Sequence, residues 1–321
     1  MPAGASVHWR EPFPSHPLVW TVLAGLLVMV IVARPDTAPQ PAASIATPAL
    51  PPSPPRAELP LAERARQYAW LSRASLKSYE PLVRRIDDPP GFQRVMAGAG
   101  GFDDWLRHLP VQPPGAPVRN GQRKPVVPGD EPSLAAVVDL QPGNSNLLTA
   151  ANIVLRLRAE YLWSAGRRDA LTFHFTSGQP FAWSVWREGA RPLVSGREVT
   201  WQRNEAPDES RTSFTGYMET LFRYGSVYSL HRDTRPVSDE TVQPGDVFVV
   251  PGRAGHAVLV LDVATDAAGR VRVLLGRGGA PAQTFHVLAA APGSPWFEIR
   301  PGASIRLPDG SSLSLRQLRR W

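Results

Sequence analysis

A chain of 321 residues with 43% hydrophobic content is long enough for one large domain or two small ones with a sizeable core. Its net charge of +7 comes almost wholly from arginine, with Lys77 and Lys124 the only lysines, and the arginines are scattered among acids with no nucleic-acid motif beside them. A solvated surface is expected, with no nucleic-acid partner. Cysteine is absent, which excludes disulfides, thiolate metal sites and a cysteine nucleophile, and suits an oxidising compartment.

Residues 1–17 form a short N-terminal segment. Residues 18–33, LVWTVLAGLLVMVIVA, are uninterruptedly apolar. As a helix they span ~24 Å, a little short of the ~30 Å hydrocarbon core. Arg10 and Arg34 bracket the run, and Trp20 suits a membrane interface. A cleaved signal peptide would need a strongly basic start and small residues at the cut. Here the start carries Glu11 and a proline follows Arg34 directly, so a retained transmembrane anchor is expected, N-terminus inside. Residues 34–60 are a proline-rich linker that cannot build a core. Residues 61–82 read as a helical stalk, with Leu61, Ala65, Tyr68, Leu71 and Leu76 at roughly helical spacing and Pro81 breaking the pattern.

The globular domain is assigned to residues 83–321. FDDWLRHLPV (102–111) reads as one or two amphipathic turns stopped by Pro110, and SLAAVVDL (133–140) as a buried strand. A helix follows through LLTAANIVLRLRAEYLW (147–163), with Asn144, Ser145 or Asn146 as its N-cap. Its inward face holds Ala150, Ile153, Val154, Leu157 and Tyr161, with Arg156 and Glu160 spaced to pair. ALTFHFTSG is a short strand, and a second helix runs from Phe214 to Tyr224, closed by Gly225. GDVFVV, HAVLVLDVA and RVRVLLG are three strands, the last two joined by a TDAAG hairpin loop, and AQTFHVLAA is a possible fourth. Helices followed by a run of strands predict an α+β domain with an antiparallel sheet.

The chemistry-bearing residues are few. In PGDVFVVPGRAGHAVLVLDVA, His256 enters a strand at its first residue, and strict alternation puts it on one face with Val258, Val260 and Asp262. A histidine base needs a polar group to orient it, and Gln283 or His286 on the next strand can serve; ordinary strand polarity explains them equally. Trp183, Trp186 and Arg187 are candidates for a stacking platform for a sugar or peptide, or for plain core anchors. The seven histidines lie far apart without HExxH or another short ligand spacing, so neither a metal nor another cofactor is expected.

RIDDPPGFQRV, FDDWLRHLPV, RLRAEYL, PGDVFVVPGRAGHAVLVLDVA, LLGRGGAPAQTFHVL and SPWFEI together resemble a bacterial family, domain-of-unknown-function family 4846, from about Val83 to the C-terminus. The resemblance implies no activity. It implies a bacterial protein, and with the anchor read at residues 18–33 the expected location is the inner membrane, single-pass, with the domain on the periplasmic side. Family members read QCADAV where this chain reads TAANIV, which sets a cysteine at Ala150 and an aspartate at Asn152. A cysteine opening a helix, followed by GDVF and GHA strands, is similar to NlpC-type papain-like amidases, which cut cell-wall peptides. That similarity implies a papain-like helix packed on the antiparallel sheet, with His256 as base and Gln283 or His286 orienting it. Ala150 then marks a vacant nucleophile position, with Thr149 and Asn152 beside it. The readings in play are an envelope protein that binds a cell-wall peptide or a partner protein without cutting it, a hydrolase using Thr149 or a water, and a structural module with no ligand. The degenerate-site arrangement requires Ala150 and His256 to face a common point, and it fails if His256 lies on the far side of the sheet from the helix start.

Overall fold

The computed structural model describes residues 59–143, 145–237, 242–252 and 255–321. The anchor expected at 18–33, nearly all of the linker and the candidate cap Asn144 lie outside those residues. Among the described residues, no helix is long and apolar enough to cross a membrane.

The fold is α+β, built around an antiparallel sheet. Its central strand, His256–Thr265, is almost continuously apolar because both of its faces are covered. In order across the sheet come Leu134–Val137, His286–Leu288, Val271–Arg277, His256–Thr265, Val247–Val250, Leu318–Arg320 and Arg235–Pro236. Gln93–Arg94 pairs with the far half of the central strand, and Trp296–Ile299 with Val271–Arg277. The three strands and the hairpin read from β-branched alternation are therefore present. So is the fourth, shortened to three residues.

Alternation splits the core in two. Ala257, Leu259 and Leu261 face a large core filled by the helices, whereas Val258, Val260 and Val263 face a smaller one closed by Ile305, Leu307, Leu313 and Leu315. A bulge between Val260 and Asp262 breaks the strict alternation expected from the sequence. Asp262 consequently pairs with Leu274 on the large-core face and leaves the face of Val258 and Val260. There it is 2% exposed and accepts from Arg94 Nε at 2.6 Å and from Arg107 Nε and Nη2 at 2.9 and 2.7 Å.

The central helix, Ala150–Ser164, packs on the large-core face. Its N-cap is Thr149, with no side-chain cap bond, and the expected cap at 144–146 is not used. The helix is buried nearly all round. Even Glu160 is inside, 1% exposed, because Arg211 donates both Nη groups to it at 2.7 Å each. Arg211 opens the helix Arg211–Tyr224, whose cap Ser210 accepts from Ser213 N. Gly225, the predicted stop, follows directly.

The expected stalk is part of the domain. It breaks into Leu61–Gln67 and Arg73–Lys77, and the interruption carries aromatic side chains into the core. Tyr68 is fully buried and donates to Trp105 O at 2.8 Å, while Trp70 Nε1 donates to Asp139 O at 2.8 Å. Burying a side chain of this size is worth roughly 1.5–3 kcal/mol, which a free-standing stalk would forgo.

Candidate functional site

The start of the central helix rests on the sheet at Gly278. A side chain there would stand 2.9 Å from Ile153 Cγ2, so only glycine lets the helix this close. Ala150 is buried against it. Asn152, also buried, donates from Nδ2 to Leu147 O at 2.7 Å and Phe222 O at 2.8 Å, and its Oδ1 has no partner. Thr149 is half-buried beside them.

His256 does not face this helix. It pairs across strands with Val250, in the same register that pairs Val258 with Phe248, and both of those belong to the small core. Ala257, its neighbour, takes the helix side. His256 Nε2 is buried without a hydrogen-bond partner. His286 lies on the same side as His256: it pairs with Arg277, while the adjacent Val287 faces the large core. Burial holds its imidazole down at about 4, helped by the nearby Arg277 cation and opposed by a contact from Nδ1 to Thr284 O at 3.1 Å. Gln283 sits by an isolated bridge to Asn120, its amide folded against Gly279. The sheet therefore separates Thr149, Ala150 and Asn152 from the two histidines. A helix start and a strand mouth can lie near one another in the fold and still present opposite faces, and strand alternation decides which.

A different cleft, of about 630 Å3, opens where the chain's PGD turn meets four other segments, at residues 95–96, 102–103, 158 and 320–321. Gly245 makes the turn at φ +92°, and a side chain there would stand 2.9 Å from the Phe102 ring. Next in the turn, Asp246 is buried and accepts from Arg320 Nε and Nη2 at 2.6 and 2.7 Å. Met96, Asp103 and Trp321 line the same cleft, and Met96 is 95% exposed. Arg158 projects from the central helix into this setting. Its guanidinium lies over three rings: Phe102 at 4.9 Å, Tyr161 at 5.4 Å and Trp321 at 5.3 Å. Among the described residues it has neither a hydrogen bond nor a carboxylate partner. Burial lowers it to about 10, with Arg167 adding to the shift and Tyr161 opposing it, so it remains a cation at neutral pH.

The model of the family described as domain of unknown function 4846 matches residues 82–320. The chain belongs to that family. No curated protein and no solved structure matches it.

The family 4846 domain thus takes in almost every residue described above, and its motifs acquire physical roles. FDDWLRHLPV supplies Phe102 to the cleft and Arg107 to Asp262; RIDDPPGFQRV supplies Arg94; RLRAEYL supplies Arg158 and Tyr161. Trp183 and Trp186 form no platform. Trp183 is fully buried, edge-on to Trp163, Phe214 and Tyr217, and Trp186 is buried, donating to Ser213 Oγ at 3.1 Å. Arg187 is taken up by Glu209 at 3.2 Å. Among the described residues, no three His, Asp or Glu side chains form a group that could hold a metal. Sequence reasoning missed the Arg158 cleft, although its PGD turn and its arginine were both in view. Arg158 stands off the predicted core face of its helix, and that was the available signal.

Proposed function

We propose that this is a bacterial envelope protein, anchored in the inner membrane through residues 18–33, whose periplasmic family 4846 domain binds a cell-wall peptide and does not cut it. The observation that carries the reading is Arg158, a paired-donor cation held among three aromatic rings at the wall of a cleft of about 630 Å3, with no anion of its own among the described residues. A peptide's free carboxylate accepts two parallel N–H bonds from such a guanidinium, and Met96 and Phe102 offer apolar surface to the rest of the peptide. A papain-like layout is supported by the helix packed on an antiparallel sheet with its first turn against Gly278. Absence of cutting is supported by the missing thiol and by the sheet that stands between Thr149 and the two histidines, which leaves a threonine nucleophile without either as base.

The test is calorimetric titration of the full chain, in detergent micelles, with stem peptides bearing a free C-terminal carboxylate and with their amidated forms. The free acid is expected to bind at least ~10-fold more tightly, a difference of ~1.4 kcal/mol, and Arg158→Met, which keeps the aliphatic stem, is expected to abolish the preference. Equal affinity for acid and amide, or no effect of the substitution, refutes the assignment. Peptide fragments appearing during the titration would make it a hydrolase instead.

A further inference from the structure

A second cleft, of about 580 Å3, is lined by Thr176, Arg197, Tyr228, His231, Arg232 and Arg319. Among the described residues, no carboxylate lines it. The three arginines arrive from three separate elements: the turn between strands Ala190–Ser195 and Glu198–Arg203, the last turn of the helix Val227–Asp233, and the sheet strand Leu318–Arg320. Cations are favoured at the carbonyl end of a helix, which accounts for Arg232. It does not account for Arg197 or Arg319, which the tertiary fold brings to the same hollow.

The arginines are also not consumed by neighbours. Arg197 and Arg232 make no hydrogen bond or ion pair with any described residue. Arg232 lies against Gly178, at φ +92°, where a side chain would come within 3.1 Å of its guanidinium. Arg319 is fixed by donating Nε to Thr234 Oγ1 and Nη2 to His231 O and Thr234 O, which leaves Nη1 uncommitted. The acid adjoining Arg232 in sequence, Asp233, is buried and engaged by His174, at 2.5 Å from Nδ1 and 3.2 Å from the backbone N. Asp233 attracts Arg232 as well but is committed first to His174, so three guanidiniums share one partly occupied carboxylate; like charges so held repel, and the arrangement becomes more favourable when an anion enters.

We propose that this cleft is a phosphate site, receiving a ligand with a phosphate monoester or diester group whose non-bridging oxygens accept from Arg197, Arg232 and Arg319. A carboxylate offers its oxygens in one plane, whereas a phosphate offers them on a tetrahedron to forks arriving from several directions. Tyr228, 51% exposed at the rim, provides an aromatic wall for the organic part of the ligand. The site is separate from Arg158 and does not depend on the peptide reading.

Two probes distinguish the sources of such a group: inorganic phosphate, and glycerophosphoglycerol, the headgroup of an anionic bilayer lipid without its acyl chains. Each is titrated into the full chain in neutral detergent at low ionic strength. At least one is expected to bind, with affinity falling steeply as salt is raised. Arg197→Glu and Arg232→Glu are each expected to weaken binding ~10-fold or more, ~1.4 kcal/mol, while Arg158→Met leaves it unchanged. Both reversals are at exposed positions, and Arg197→Gln serves as a milder check with thermal melts to establish folding. Binding of the diester alone identifies a lipid headgroup, and binding of inorganic phosphate identifies a soluble ligand. Failure of both probes to bind, or binding indifferent to both reversals, overturns the proposal.

Discussion

Two sets of arginines frame the large core, and they have opposite circumstances. Around Asp262, Arg94 and Arg107 are 3% and 12% exposed at their side chains, and a single carboxylate takes three of their nitrogens, Asp88 and Ile86 O taking others. Close by, over Phe102 of the same short helix that bears Arg107, Arg158 keeps company with rings and has no anion among the described residues. Burying charge is costly unless it is paired and hydrogen-bonded, so the first set is a fixture of the fold. The second rests on ring faces, which attract a cation weakly, and so stays available to an incoming anion. The residue type is the same in both places; what differs is whether the fold supplies the counter-charge.

The largest expected effect tests the fixture. Asp262→Ala leaves buried Arg107 without a carboxylate and Arg94 with Asp88 alone, and is expected to cost about 3–5 kcal/mol in urea unfolding, whereas Arg158→Met is expected to cost less than about 1 kcal/mol. Were the two costs similar, the distinction between structural and available arginines would collapse. His286 tests a buried group that escapes the cost by staying neutral. Its folded value, about 4, lies below the ordinary 6.5. As pH falls, the unfolded chain takes up the proton first, so the stability is fully present above about 6.5 and is lost progressively toward pH 4, on the order of 3 kcal/mol in all. His286→Gln is expected to flatten that part of the pH–stability curve, and an unchanged acid limb in the variant would place the sensitivity elsewhere. The smallest effect concerns Ala150. Ala150→Cys, with or without Asn152→Asp, is expected to react with iodoacetamide no faster than an ordinary thiol, because His256 faces the other side of the sheet and Ala150 is only 8% exposed. A strongly activated thiol would restore the Cys/His arrangement.

The strands at 247–250, 256–265 and 271–277 were legible because β-branched runs bounded by glycine turns have few other ways to fold. The central helix was legible from the helical spacing of Ala150, Ile153, Val154, Leu157 and Tyr161, though its cap was not, since Thr149 starts it without a side-chain bond. The stalk misled because Tyr68 and Trp70 carry no mark in sequence of the partners they reach, Trp105 and Asp139. His256 was correctly put at a strand mouth. Its face depended on which side of the sheet receives the helix, a property of the tertiary fold that period-2 alternation cannot supply. The bulge at 260–262 is likewise invisible in sequence, where Asp262 simply continues the strand's period-2 pattern. The cleft at Arg158 needed Phe102 and Trp321, far apart in the chain, to meet on one guanidinium.

The strand Leu318–Arg320 slots between Val247–Val250 and Arg235–Pro236. Those neighbours are made long before it, so a growing chain carries the flank of Val247 and Phe248 as an open row of backbone donors and acceptors until Leu318–Arg320 arrives. During that interval the half-finished sheet is adhesive, and one nascent copy can zip onto another. Folding of this protein therefore calls for a holding chaperone or for slow, well-spaced synthesis, and a chain cut short before Leu318 should aggregate instead of merely losing stability.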